Sequence, residues 1–337
     1  MNTTTPATPP SSPFFIVGAQ RSGTTLLRLM LAAHPRVAIP PESHFIPDLL
    51  RIERRAGGLA GIREDVARML VTHDRLVDFD LGPAFIRETV ARLWPLTTRA
   101  ITEALFAEYA RRQGKPRWGD KTPRHCNFLP ELGAVFPEAR FIHVVRDGRD
   151  TAMSSVKAAF GPNTWTTAAY LWRDSVRAAQ RGAQSLAPDR WMEIRYEDLL
   201  GDPRAILERV CAFLGEDFHE DLLRYAERAD GLVPKWERSW HAKLSGPIDG
   251  KNTGKWRREL TSEQIALLQR VGAAELRAYD YPLEPIPASP ALTAHVLTKC
   301  ARYHARRLAS RTMLWLRRYD PAMRPTAFRP APSSERE

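Results

Sequence analysis

The sequence predicts an α/β fold: a mainly parallel sheet flanked by helices, with a helical insertion after the second strand. Three observations predict it. Short apolar runs of strand length alternate with helical patterns along the chain, as in parallel sheets covered on both faces. One strand–turn–helix junction, GAQRSGTTLL at residues 18–27, has the glycine spacing of a phosphate-binding loop (P-loop), G-x-x-x-x-G-K-[ST]. The stretch at about residues 48–113 is helical and amphipathic, with breaks near Gly57-Gly58, at Gly82-Pro83 and at Pro95.

The elements follow in order. FFIV (14–17) is a β-forming apolar run, and TLLRLMLAAH (25–34) places Leu26, Leu27, Met30 and Leu31 at helical spacing with no breaker before Pro35. RVAI (36–39) reads as a second short strand and RWGDKTP (117–123) as a third running into a turn. RFIHVV (140–145) is a buried strand feeding the helix that RDGRDTAMSS opens. A Trp- and Ala-rich helix covers about 164–184, WMEIRYEDLL (191–200) holds another strand, and PRAILERVCAFLG (203–215) is helical. Residues 1–13 read as a disordered leader, 14–286 as the α/β body, and 287–337 as a basic helix and tail. In such sheets the ligand belongs at the carboxyl ends of the strands.

Composition narrows the class. The 337 residues can bury one large core or two modest ones, and no apolar run approaches the ~20 residues of a spanning helix. The start lacks a basic residue and an apolar stretch, so it does not read as a secretory signal. Cys126, Cys211 and Cys300 are odd in number and widely spaced, which fits neither a disulfide framework nor a zinc knuckle; a reducing cytoplasmic setting is the simplest expectation. The net charge is +11, but from Ile286 onward ten Lys/Arg oppose three acids, so +7 belongs to the tail and +4 to the rest. A mildly basic body suits an anionic small ligand better than a duplex, and no nucleic-acid-binding motif is present.

The loop has its own chemistry. Backbone N–H groups at a helix N-terminus converge on one spot, and the helix dipole favours an anion there. Arg21 adds a fixed cationic fork, and Ser22, Thr24 and Thr25 add hydroxyl donors around Gly23. Thr24 stands where a nucleotide-binding loop carries lysine.

VGAQRSGTTLLRLMLAAHP, FIHVVRDGRDTAMSS, RYEDLLGDPRAILERVCAFLG and TGKWRREL together resemble the sulfotransferases that use 3′-phosphoadenosine 5′-phosphosulfate (PAPS). The stretch RSGTTLLRLMLAAHPRVAIPPESHFIP is similar to tyrosylprotein sulfotransferases. The resemblance implies that the loop holds a 5′-phosphosulfate, whose sulfonyl group carries less charge than a γ-phosphoryl group, so that neither the lysine nor a metal ion is needed. It implies that Arg146 and Ser154, eight residues apart, hold the 3′-phosphate, while Asp147 and Asp150 read as first-turn acids of a helix. It implies Glu42 as the general base, with His44 as its rival, since many sulfotransferases use histidine for that task. Lys121 falls at the lysine near the bridging oxygen, Ser239 in WERSW at a serine orienting the sulfonyl group, Tyr196 beside the adenine, and Lys255 in a late basic loop over the donor; Trp256 reads as packing.

The departures bear on the acceptor. Pro41-Glu42-Ser43-His44 replaces paired acids followed by Thr-Arg, removing an acid and an arginine, so the hydroxyl acceptor can be a small molecule, a glycan or a tyrosine. The stripe of Leu297, Ala301, Ala305, Leu308, Thr312 and Trp315 gives the C-terminal helix a narrow apolar face, which can make peripheral contact with an anionic membrane, pack on its own domain, or pair with a second subunit as a homodimer. Two other classes stay in view: a P-loop kinase, against which Thr24 counts, and a non-enzymatic nucleotide-binding protein, which would not need Glu42 or Lys121.

Overall fold

The computed structural model describes residues 12–159, 161–228, 252–286 and 289–317, with side chains in the last stretch given through 308. Contacts divide the chain into two units, Met1–Glu284 and Pro285–Glu337. The first holds a five-stranded sheet in the order β2-β3-β1-β4-β5, all neighbours parallel. The strands are β1 Phe14–Gly18, β2 Val37–Ala38, β3 Arg117–Lys121, β4 Arg140–Val145 and β5 Trp191–Arg195. Helices α1 Thr24–Ala32, α2 Phe45–Ala56, α3 Arg63–Val71, α4 Pro83–Arg92, α5 Thr98–Arg112, α6 Leu129–Val135, α7 Gly148–Val156, α8 Trp165–Ala183, α9 Tyr196–Gly201 and α10 Pro203–Leu214 connect or flank them.

β1 is central, and every residue in it is buried. Its side chains alternate between two cores, as strand geometry requires. Phe15 and Val17 join α2–α5 residues such as Phe45, Leu70 and Phe106 on one face. Phe14 and Ile16 join Leu27, Leu207 and Val210 on the other. The insertion predicted after the second strand is α2–α5, and it covers the first of these faces. The predicted second strand shrinks to two residues, because only Val37 and Ala38 pair, with Arg117 and Trp118.

The connection after β1 leads to β2 on one side of the sheet, and that after β4 leads to β5 on the other. The switch point therefore lies between the carboxyl ends of β1 and β4, where ligands of open α/β sheets bind. Register brings the pieces level: Gly18 pairs with Val144, and Ile16 with Lys121. The loop after β1, the start of α7 and the end of β3 thus share one edge.

After α10 the described chain runs on to residue 228 through two short helical turns, Glu220–Leu222 and Tyr225–Arg228, and resumes at residue 252, with a helical turn Trp256–Glu259 and the helix Ser262–Ala278, whose start is a capping box of Thr261 and Gln264. The second unit contains the helix Pro290–Arg317. Among the described residues, no helix is long and apolar enough to cross a membrane.

Candidate active site

The loop between β1 and α1 turns through left-handed conformations at Arg21 (φ 68) and Gly23 (φ 98). Gly23 is required twice over: its φ favours glycine, and a Cβ there would stand 2.2 Å from the Tyr196 ring. Gly23 precedes α1, so the N–H groups of Thr24 and Thr25 lie in the first turn, where a helix provides no acceptor. Ser22 is fully buried, and its Oγ has no hydrogen-bond partner among the described residues. A buried, unpartnered hydroxyl beside first-turn N–H groups is a donor set suited to an anion's oxygens.

A second group closes on the loop from α7. Arg21 Nε donates to Ser154 Oγ at 3.1 Å, and Arg146 Nη1 donates to the Arg21 carbonyl at 3.3 Å. Arg146 is buried, with its guanidinium 4.5 Å over the Tyr196 ring and its Nε unpartnered among the described residues. Its Nη2 donates to the Asn252 carbonyl at 2.8 Å. The Asn252 side chain donates to Tyr196 Oη and accepts from Lys255 Nζ, both at 2.8 Å. Arginine, hydroxyl, aromatic ring and lysine from four segments are therefore brought together, a donor set that fits an aromatic nucleotide carrying phosphate.

The third group lies at the end of β3. Lys121, 1% exposed, donates from Nζ to Glu42 Oε1 at 2.7 Å and to Thr25 Oγ1 at 3.2 Å. The other Glu42 oxygen stands 2.7 Å from His44 Nε2. Burial alone would raise the Glu42 carboxyl, but the Lys121 ammonium and the His44 ring outweigh it and hold it well below the usual carboxylate range. Among the described residues, no three His, Cys, Asp or Glu side chains converge as a metal site.

A family model described as "Sulfotransferase family" matches residues 13–220, more than half of the chain. The chain belongs to the sulfotransferase family. Among curated relatives, the protein-tyrosine sulfotransferase of Drosophila melanogaster is 26% identical over 258 residues, 72% of this chain and 46% of that protein. Protein-tyrosine sulfotransferase 2 of Gallus gallus is 27% identical over 256 residues, 72% of this chain and 62% of that protein. The chain thus spans less than two thirds of the length of these relatives. Among solved structures, the sulfotransferase domain of the Synechococcus PCC 7002 olefin synthase matches with a TM-score of 0.59 at 27% identity, over 84% of this chain and 100% of that domain.

In this member of the sulfotransferase family the residues singled out in the sequence fall into two linked sets. Arg21, Ser22, Gly23, Thr24, Arg146, Ser154, Tyr196 and Lys255 gather at the carboxyl ends of β1 and β4. Glu42, His44 and Lys121 form the other set, joined to the first through Thr25. Glu42 lies two residues before His44, the N-cap of α2, which starts at Phe45. Ser239 lies outside the described residues. Trp256 is fully buried under the Arg149 guanidinium, as packing.

Asp147 does cap α7, accepting from Arg149 N, but Asp150 does more than complement a helix dipole. Its carboxylate accepts from Gly254 N at 2.7 Å and Trp256 N at 3.0 Å, tying the Asn252–Lys255 stretch to α7. Asn252 and Asp150 join these groups to one another, and the sequence reading singled out neither for that part. The signal for Asn252 was its place three residues before Lys255 in NTGKW.

Proposed function

We propose that this sulfotransferase moves the sulfonyl group of PAPS to a hydroxyl acceptor, without a metal ion. One observation carries the reading: Lys121 Nζ is bonded at once to Thr25 of the anion-binding loop and to the Glu42 carboxylate. A cation shared between an anion site and an acid is what transfer from a charged donor to a neutral hydroxyl requires.

In the proposed reaction the acceptor oxygen bonds to sulfur as the bond from sulfur to the bridging oxygen breaks. The electron pair stays on the departing phosphate, and the acceptor proton passes to Glu42, with His44 held against the same carboxylate. First-turn N–H groups, Ser22 and Arg21 stabilise charge on the sulfonyl and 5′-phosphate oxygens. Arg146 and Ser154 hold the 3′-phosphate, Tyr196 borders the base, and Lys255 lies over the donor. Lys121 links the two ends. While paired with Glu42 it depresses the basicity of that carboxylate. As charge grows on the leaving oxygen, the ammonium turns toward it, and Glu42 regains basicity as the acceptor proton departs.

The test is a screen. The protein is incubated with PAPS and a panel of phenolic, alcoholic, glycan and tyrosyl-peptide hydroxyls, and sulfated product and 3′-phosphoadenosine 5′-phosphate (PAP) are measured together. Equal amounts of both, with chelator present, are expected. PAP binding no tighter than ATP with magnesium, and no sulfated product, would overturn the reading.

A further inference from the structure

Glu42 sits in a turn whose backbone is held from beneath. The Thr122 hydroxyl accepts from Ser43 N at 2.9 Å, lies 3.3 Å from Ser43 Oγ, and donates to Asp120 Oδ1 at 3.1 Å. A hydroxyl has one proton and two lone pairs, so these three contacts use its full capacity. Asp120 Oδ2 in turn stands 2.9 Å from His125 Nδ1. Ser43, Asp120, Thr122 and His125 are all buried, none more than 1% exposed.

The turn needs such a hold. His44, next to Ser43, has φ 41, a left-handed conformation uncommon for a residue with a side chain. Such strain persists only where the surroundings over-determine it. Phe45 N donates to the Ser43 carbonyl, and Phe45 itself is fully buried, which fixes the turn on its far side. Thr122 fixes it on the near side through the peptide that joins Glu42 to Ser43.

Lys121 and Thr122 are consecutive, and both reach the same turn: Lys121 the Glu42 carboxylate, Thr122 the adjoining N–H. We infer that Thr122, backed by Asp120, is a positioning residue that sets the reach of Glu42 toward Lys121 and the acceptor hydroxyl. The inference rests on the proposed role of Glu42. Among the described residues, the Thr122 hydroxyl bonds only to Ser43 and Asp120, and to none of the groups assigned to the donor.

The experiment compares Thr122→Val, which keeps the shape and removes the hydroxyl, with Thr122→Ser, which restores it. A group displaced by about 1 Å can cost on the order of 100-fold in rate. In Thr122→Val, kcat is expected to fall about 10- to 100-fold while the KM for PAPS stays within about threefold. The acid limb of its pH–rate profile is expected to move to higher pH, because a looser turn weakens the hold of Lys121 on Glu42. Thr122→Ser is expected to recover at least a third of the wild-type kcat, about the loss of one methyl contact. A wild-type kcat in Thr122→Val overturns the inference. So does a fall in kcat that Thr122→Ser shares in full, or one matched by an equal rise in the PAPS KM. Should Thr122→Val not fold, Asp120→Asn carries the same two readouts, with an unchanged kcat and acid limb as the overturning result. A wild-type enzyme with no transfer activity at all would instead count against the proposed function, which separates the two failures.

Discussion

Arg21 and Ser154 are separated by 133 residues in the chain and by 3.1 Å in the fold, Nε to Oγ. That bond joins the loop after β1 to α7, and Arg146 completes the join by donating to the Arg21 carbonyl. The two ends of one anionic donor would therefore be held by groups that also hold each other.

Arg146→Ala should weaken PAP binding about 10- to 100-fold, since a charge-assisted hydrogen bond is worth roughly 1.5–3 kcal/mol. Titration calorimetry in the presence of chelator measures it. An unchanged dissociation constant in the folded variant would remove Arg146 from the donor site.

Glu42→Gln keeps the shape of the side chain and loses the proton acceptor. Turnover is expected to fall about 100- to 10,000-fold, the scale of general-base catalysis, with PAP affinity little changed. His44→Ala is the companion variant, because its ring touches the same carboxylate. A nearly normal Glu42→Gln beside an inactive His44→Ala would assign the proton to histidine.

Stability should carry the same signature. The Glu42 carboxyl is held well below its unfolded value, against the upward push of burial, by Lys121 and His44. A depressed acid stabilises the fold fully above its unfolded value, and this is lost as pH falls toward the folded value. Melting curves between neutral and acid pH should thus show a smaller acid loss for Glu42→Gln than for wild type. Equal losses would mean that the pair with Lys121 contributes nothing to folding.

Gly23→Ala should be damaging although it adds one methyl. The left-handed φ of 98 is strained for alanine, and the new Cβ would press on the Tyr196 ring. A loss of about 1–3 kcal/mol is expected from backbone strain alone, read by denaturant melts, with PAP binding weakened in parallel. A variant as stable as wild type would show that the loop can re-form around the methyl group.

What the sequence reveals depends on how local each signal is. β1 and β4 were readable because strands buried on both faces are continuous apolar runs, as FFIV and RFIHVV are. The loop was readable because its glycines obey a local spacing, and Gly23 meets a local demand for positive φ. The work of Asp150 was not readable: its partners are the N–H groups of Gly254 and Trp256, more than a hundred residues on, and backbone donors leave no mark in a sequence. The same holds for Thr122, whose main partner is the Ser43 N–H. Glu42 was found as a candidate, but its bond to Lys121 joins two segments that only the β2–β3–β1 order brings together.

The insertion α2–α5 leaves the sheet after Ala38 and returns at Arg117, and these ends are neighbours, since Val37 pairs with Arg117 and Ala38 with Trp118. A segment whose two stems stand side by side enters and leaves the sheet at one place, so its length can vary without changing the strand order. Its graft junctions would have to leave Glu42 and Lys121 in place, and the incoming piece would need an apolar underside to seat on Phe15 and Val17. Chimeras built on those stems would ask whether the fold tolerates a different cover over that face while the loops on β1 and β4 are kept whole.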